Sequence, residues 1–248
     1  MLRLTIVVPC YNEAKRFPVE RFRDYVRSRD GLRFLLVNDG SKDDTLAVLE
    51  RVREGLEDRI GIFDMPQNGG KGEAVRHGIL EALDQGGSDA IGFWDADLAT
   101  PLEAIPELSG ILEERPDIEM VFGARVKLLG RKIERLLVRH YLGRVFATVV
   151  SNLIRLPIYD TQCGAKIFRV VPGTRVLFAE PFCTRWVFDV EILARLIRRE
   201  NRNMSKVQGL IYEYPLKQWE DVAGSKVKST DFLKAFKDIL KIYAKYLR

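Results

Sequence analysis

Apolar positions in the first hundred residues fall into short runs separated by stretches of helical period. Strand-like runs lie at 3–8, at 33–38 (Arg33-Phe34-Leu35-Leu36-Val37-Asn38), at 59–63 and at 90–94 (Ala90-Ile91-Gly92-Phe93-Trp94). Between them, residues 17–29, 42–54 and 71–85 repeat apolar side chains at helical spacing. Such β-α-β-α alternation predicts right-handed crossovers and a Rossmann-like α/β fold, its mainly parallel sheet flanked by helices on both faces. Ser41-Lys42-Asp43-Asp44 and Thr100-Pro101-Leu102-Glu103 both read as helix starts of the capping-box type. A further strand at 118–123 leads into Gly123-Ala124-Arg125. The alternation then breaks: 132–156 reads as one long helical stretch, and 165–171 and 207–213 as strands. No internal repeat or low-complexity linker divides the chain. The expected organisation is one domain over 1–228, with halves 1–125 and 126–228, followed by a helix at 229–248.

That last segment is amphipathic. On a helical wheel Lys234, Lys237, Lys241, Lys245 and Arg248 share one arc, and Phe236, Ile239, Leu240, Tyr243, Tyr246 and Leu247 crowd the opposite side. Such a helix either lies on an anionic bilayer or packs on its own domain with a solvated basic face. Arg131, Lys132, Arg135, Arg139 and Arg144, ahead of Val145-Phe146-Ala147-Thr148-Val149-Val150, form a second basic and apolar stretch.

Charge sharpens this picture only by its location. Forty Lys and Arg against thirty-five Asp and Glu leave a net charge of +5 over 248 residues, which does not imply nucleic acid. Acidic residues crowd 39–119, whereas 125–155 and 226–248 are basic, so the second half is suited to an anionic partner. Cys10, Cys163 and Cys183 are odd in number and lack C-x-x-C spacing. Zinc and a disulfide framework are therefore not expected, and a reducing cytoplasm fits. The chain enters directly on a strand with no signal-peptide pattern, and no stretch reaches the ~20 apolar residues of a membrane span. A cytoplasmic protein, peripherally attached to membrane, is expected.

The chemistry-bearing residues stand at strand ends. Asp95 and Asp97 flank Ala96 directly after the 90–94 run, and paired hard oxygens suit Mg²⁺ or Mn²⁺. Pro9-Cys10-Tyr11-Asn12-Glu13, Asn38-Asp39-Gly40-Ser41 and Asn68-Gly69-Gly70-Lys71-Gly72 end the other three runs. Any one of these is a polar loop rich in turn residues. In a doubly wound sheet all four converge on one edge and share a crevice. Tyr11 is suited to lie against a nucleobase, and Glu13 or Asp39 to accept hydrogen bonds from a ribose or base edge. The glycines let backbone approach a ligand, with Lys71 supplying positive charge. Neither a Walker loop nor G-x-G-x-x-G is present.

The ordered set resembles the family 2 glycosyltransferases of the GT-A fold. Within them it looks like the branch that moves a hexose from a nucleotide sugar to a polyprenyl or dolichyl phosphate. The matching series begins with Val8-Pro9-Cys10-Tyr11-Asn12-Glu13, Val37-Asn38-Asp39-Gly40-Ser41, the 68–72 loop and Asp95-Ala96-Asp97-Leu98-Ala99-Thr100-Pro101. It continues through Gly123-Ala124-Arg125, Asp160-Thr161-Gln162-Cys163-Gly164-Ala165-Lys166, Arg185-Trp186-Val187-Phe188-Asp189-Val190-Glu191 and Gly224-Ser225-Lys226, about residues 3–228 in all.

The resemblance implies a nucleotide-sugar site made of Pro9, Tyr11, Asn12, Glu13, Asp39, Lys71, Asp95, Ala96, Asp97 and Lys226. Pro9, Tyr11, Glu13 and Asp39 would contact the nucleoside, and Asp95 and Asp97 would flank a Mg²⁺ or Mn²⁺ ion bridging two phosphates. It places Asp97 and Arg125 among the catalytic residues, sets Arg125 and Lys226 toward the diphosphate or the acceptor phosphate, and gives Asp189 an orienting or weakly basic role. Ala99 stands where mannosyl-phosphate synthases of this group often carry a Gln, and Gln218-Trp219-Glu220 offers no arginine. The 98–101 and 160–164 forms look like the glucosyl-phosphate branch, which implies UDP-glucose. The implied reaction is an inverting displacement at the anomeric carbon. A phosphate monoester with a second pKa of about 6 arrives ionised and needs no strong base. His77 and His140 are read as surface or packing residues. A GDP-mannose donor, a soluble enzyme acting on a hydroxyl, and a non-catalytic nucleotide-binding or membrane-scaffold protein stay open, as does oligomerisation.

Overall fold

The computed structural model describes residues 2–134, 137–221 and 229–248, with the side chains of 137–142 and 229–233 outside that description. Lys226, with Gly224 and Ser225, therefore lies outside the described residues, as do the side chains of Arg135, Arg139 and His140. In chain order the regular elements are β1 (Leu4–Cys10), α1 (Val19–Arg27), β2 (Leu32–Asn38), α2 (Thr45–Arg53), β3 (Ile60–Asp64), α3 (Lys71–Gln85), β4 (Ala90–Trp94), α4 (Ile105–Glu114) and β5 (Met120–Ala124). There follow β6 (Lys132–Glu134), α5 (Leu137–Ile154), β7 (Ala165–Arg169), α6 (Phe188–Arg199), α7 (Met204–Gly209), β8 (Ile211–Pro215), β9 (Gln218–Glu220) and α8 (Ser229–Ile242). The mixed α/β class with mainly parallel strands is as the alternation predicted. The chain forms two compact units, Met1–Leu98 with Gly164–Pro181, and Ala99–Cys163 with Phe182–Arg248.

In the first unit the strand order is β3-β2-β1-β4-β7. The first four strands run parallel, with Leu4 of β1 opposite Leu32 of β2 and Ala90 of β4, and β7 returns antiparallel to β4. β1, β2 and β4 are buried almost throughout, which is why they read as unbroken apolar runs. On α1, Phe22, Tyr25 and Val26 form the buried stripe. Phe22 packs between the rings of Phe17 and Phe34 at 4.9 and 5.0 Å. Burying each such ring stabilises the fold by about 1.5–3 kcal/mol.

The second unit pairs β5 with β8 and β6 with β9, both in parallel. Its α6 is buried from Phe188 to Ile197, including Asp189, Glu191 and Arg195. Glu191 is fully enclosed and fully engaged. It accepts from Arg195 Nη2 at 2.8 Å, the Tyr246 hydroxyl at 2.9 Å, and the Cys183 amide and thiol at 2.9 and 3.0 Å. Burial and the neighbouring Glu191 push the Cys183 thiol up to about 12. Along α8 and the wider turn Tyr243–Leu247, Ala235, Ile239, Ile242 and Tyr246 are buried, while Lys234, Lys237, Lys241 and Lys245 are exposed. Ile239 and Tyr246 of the predicted apolar side thus pack on their own unit, while Leu240 is exposed and Phe236, Tyr243 and Leu247 are half-buried.

Four local expectations are corrected. The long stretch at 132–156 opens with the strand β6, because Ile133 pairs in the ladder opposite Trp219, and only then becomes α5. Residues 207–213 are split between α7 and β8. Ser41 does not cap α2: its hydroxyl accepts from the Asn12 amide at 3.0 Å, and Asp43 Oδ1 takes the Thr45 amide instead. Nor does Thr100 cap a helix, since a short 3₁₀ turn at Leu102–Ala104 precedes α4.

Candidate active site

Strand order 3-2-1-4 makes the junction of β1 and β4 a point where successive connections leave in opposite directions, the usual ligand crevice of an open parallel sheet. The four strand-end loops meet there and are tied to one another. The β1 and β2 loops are joined by Asn12 N–H to Ser41 Oγ at 3.0 Å and Lys42 N–H to Asn12 Oδ1 at 2.9 Å. Asn12 accepts a left-handed φ of 54° to make both. The β2 and β3 loops are joined through Asp39. Its carboxylate, almost fully buried, accepts from Gly69 N–H at 2.7 Å, Gly70 N–H at 3.0 Å and Asn68 Nδ2 at 2.8 Å. The β3 and β4 loops are joined by Lys71 Nζ to Asp95 Oδ1 at 2.5 Å. Glu13 holds Arg16 in a two-pronged ion pair, and that contact first, then the Asp97 charge, raises the Arg16 guanidinium above its usual range.

Two glycines make this circuit possible. Gly40 has φ 56°, and a side chain there would meet the Asn68 amide nitrogen and Gln67 carbonyl carbon at 2.5 Å. The 67–70 loop thus passes directly over it. Gly164, the residue before β7, gives its carbonyl to the Asp95 amide at 3.1 Å. A Cβ on Gly164 would stand 2.6 Å from Asp95 Oδ1 and closer still to Oδ2. Asp95 therefore rests its carboxylate on bare backbone.

Asp95 and Asp97 are partly exposed and flank the buried Ala96, while Pro9 and Tyr11 are partly exposed at the end of β1. The Lys71 ammonium already stands as a cation on the Asp95 carboxylate. Among the described residues no three His, Cys, Asp or Glu side chains converge as a metal cage. A pair of half-open carboxylates fits an ion such as Mg²⁺ or Mn²⁺, which keeps water and substrate phosphate in its remaining positions.

In the second unit Arg125 follows β5 and forms a fork with Asp160, at 2.6 Å to Oδ2 and 2.8 Å to Oδ1. Its guanidinium also lies 5.2 Å from the Trp219 ring centre. The amides of Tyr159 and Asp160 donate to Glu213, whose carboxyl is raised by burial in spite of them. Asp189 is buried in the first turn of α6, where a carboxylate suits the helix dipole. Ala99 is buried and accepts from the Glu220 amide at 3.1 Å. Thr161 Oγ1 and Gln162 Nε2 are buried with no protein partner among the described residues, as polar atoms reserved for a ligand would be. His77 is a surface residue against Phe63, with its ring held below its usual range by burial first and Arg76 second.

Sequence reasoning singled out the loops but gave no role to Arg16, Asn68, Asp160 or Gly164. The one signal for the last two was their place in the Asp160-Thr161-Gln162-Cys163-Gly164 run.

Residues 5–173 match glycosyl transferase family 2, and the chain belongs to that family: it is a nucleotide-sugar-dependent glycosyltransferase. Among its relatives, a dolichyl-phosphate beta-glucosyltransferase of Trichomonas vaginalis is 31% identical over 250 residues, covering 96% of this chain and 70% of the relative. The Homo sapiens dolichyl-phosphate beta-glucosyltransferase is 30% identical over 264 residues, covering 99% and 76%. The fold is GT-A, as the motif order implied. It is shared with glucosyl-3-phosphoglycerate synthase from Mycobacterium tuberculosis, solved with Mn²⁺, UDP and glucosyl-3-phosphoglycerate (TM-score 0.68, 18% identity, 99% of this chain and 80% of that one). It is shared too with mannosyl-3-phosphoglycerate synthase from Rubrobacter xylanophilus (TM-score 0.71, 17% identity, 100% and 74%).

Proposed function

We propose that this chain transfers glucose from UDP-glucose to a polyprenyl phosphate of the dolichyl type, with inversion, at the cytoplasmic face of a membrane. The observation that carries the reading is the ring of four strand-end loops closed on Asp95 and Asp97. The relatives that match nearly the whole chain are named for glucose and dolichyl phosphate, and a structure of the same fold was solved with UDP and Mn²⁺. Residues 1–125 serve the donor and 126–228 the acceptor.

In this mechanism Pro9, Tyr11, Asn12 and Glu13 border the nucleoside, and Asp39 holds the 68–70 loop so that its backbone and Lys71 face the diphosphate. Asp95 and Asp97 would hold Mg²⁺ or Mn²⁺, and the ion would supply Lewis-acid neutralisation of the leaving diphosphate. Lys71, paired with Asp95, adds a positive charge beside it. Arg125, in the orientation that its fork with Asp160 fixes, and Lys226 would meet the diphosphate or the acceptor phosphate. Asp189 orients the acceptor side rather than removing a proton, because the attacking phosphate is already ionised near neutral pH.

The test is a transfer assay with a panel of radiolabelled nucleotide sugars, polyprenyl phosphate and either metal. Label from UDP-glucose entering the organic phase supports the reading. Label from GDP-mannose instead, or transfer confined to water-soluble acceptors, would overturn it. Asp97→Ala is expected to abolish transfer and metal-dependent donor binding while leaving the thermal transition near that of the parent chain.

A further inference from the structure

The turn that connects β5 to β6 carries two leucines on its outside. Arg131 N–H donates to the Leu128 carbonyl at 3.1 Å, and Gly130 takes φ 80° to close the turn. Leu128 is 49% exposed and Leu129, at the corner, 105%. A solvated turn favours Gly, Asn, Asp or Ser at its tip, and adjacent leucines there add nothing to a core. Cationic side chains stand at the base of the tip. Lys127 and Lys132 are exposed and Arg131 partly so; Lys132 is already matched by Glu220 and Glu134, which leaves Lys127 and Arg131 as the surplus charge. On α8, by contrast, Ala235, Ile239 and Ile242 are buried in their own unit and Leu240 alone among its described apolar side chains is exposed.

We propose that the Leu128-Leu129 turn is a membrane-inserting tip by which the chain docks on an anionic lipid surface. This rests on the lipid-phosphate reading and names the surface that meets the bilayer. The order of chemistry along the turn matches the depth profile of a leaflet. Leucines at the apex enter the acyl boundary, while Lys127 and Arg131 remain at headgroup level with the phosphates. A second copy of this chain is a poorer occupant, because tip-to-tip contact would bring the same cations together. No described helix is long and apolar enough to cross a membrane, so docking of this kind would act at the surface.

The experiment is co-sedimentation with vesicles of phosphatidylcholine alone or mixed with phosphatidylserine. Leu128→Ser/Leu129→Ser should weaken binding to the mixed vesicles by about a hundredfold, since each buried leucine contributes about tenfold or more. Its circular dichroism and thermal transition should match the parent chain, because both side chains are exposed. Lys127→Ser/Arg131→Ser should remove most of the preference for phosphatidylserine. As a second measurement, Leu129→Trp should add a blue-shifted emission that is quenched by lipid carrying a nitroxide on its acyl chain. Vesicle binding unchanged by the double serine variant, or added emission from the Leu129→Trp variant that the nitroxide lipid fails to quench, would overturn the proposal. So would a parent chain that self-associates through the tip and ignores vesicles. Transfer to polyprenyl phosphate dispersed in detergent should survive the double serine substitution. If the parent chain fails that transfer yet docks through the tip, the lipid-phosphate reading fails and the docking surface stands.

Discussion

Gly164→Ala tests whether the position of Asp95 is what the site depends on. A Cβ at 164 would stand 2.6 Å from Asp95 Oδ1, where ordinary contact begins at 3.4 Å, and the overlap with Oδ2 is deeper. Relief requires the carboxylate or the start of β7 to retreat by about 0.8 Å or more, a typical overpacking that costs about 1–3 kcal/mol. Trp94 and Ala96 on either side are buried, and the Asp95 amide is tied to the Gly164 carbonyl, so the carboxylate moves more readily than the backbone. A hard divalent cation held there would tolerate little of this; Mg²⁺, for one, demands oxygen ligands at about 2.0–2.1 Å. Misplacement by about 1 Å is worth about a hundredfold in rate. The expected result is a fall of about a hundredfold in kcat/KM with a raised Mn²⁺ requirement, read by titrating Mn²⁺ against glucosyl transfer and, separately, by calorimetric Mn²⁺ binding with UDP. Gly110→Ala is the matched control: nothing lies within 4 Å of its added Cβ, and it sits inside α4. It should stabilise the fold by about 0.5–1 kcal/mol and leave transfer unchanged. A Gly164→Ala protein with the parent's Mn²⁺ titration and rate would refute the reasoning.

Lys71→Met removes the ammonium from Asp95, and since partly exposed pairs are worth up to about 1 kcal/mol, calorimetric Mn²⁺ binding should tighten by up to about fivefold while transfer slows. Unchanged binding would mean that the ion pair does not compete with metal. Cys183 offers a pH test: a thiol pushed up to about 12 is protonated at pH 8, so alkylation by iodoacetamide should run about a thousandfold slower than for an ordinary thiol and accelerate as pH rises toward 12. Rapid labelling at pH 8, mapped by peptide mass spectrometry, would contradict the Glu191 contact. Glu191→Ala leaves Arg195 buried without its carboxylate, and urea unfolding should show a loss of about 3–5 kcal/mol. A loss under 1 kcal/mol would mean that water replaces the carboxylate.

What the chain's own order of residues determined is the set of elements and the edge on which the site is built. Periodicity is a local property, so β1, β2, β4 and α3 could be read with little error. A parallel sheet then forces its strand-end loops to one side, which is enough to place Tyr11, Asp39, Lys71 and Asp95 together. Tertiary structure decided which partners those residues take. Asp39 binds the amides of Gly69 and Gly70 some thirty positions away, Gly164 supports Asp95 from 69 positions away, and Tyr246 closes on Glu191 across 55. Such contacts have no local signature, because a carboxylate's hydrogen bonds and a glycine's missing side chain are specified by whatever the fold brings against them. The same holds for the tail: its wheel of lysines and apolar residues was plain in the sequence, but only packing determined that Ile239, Ile242 and Tyr246 face protein while Leu240, on the same side of the wheel, stays exposed.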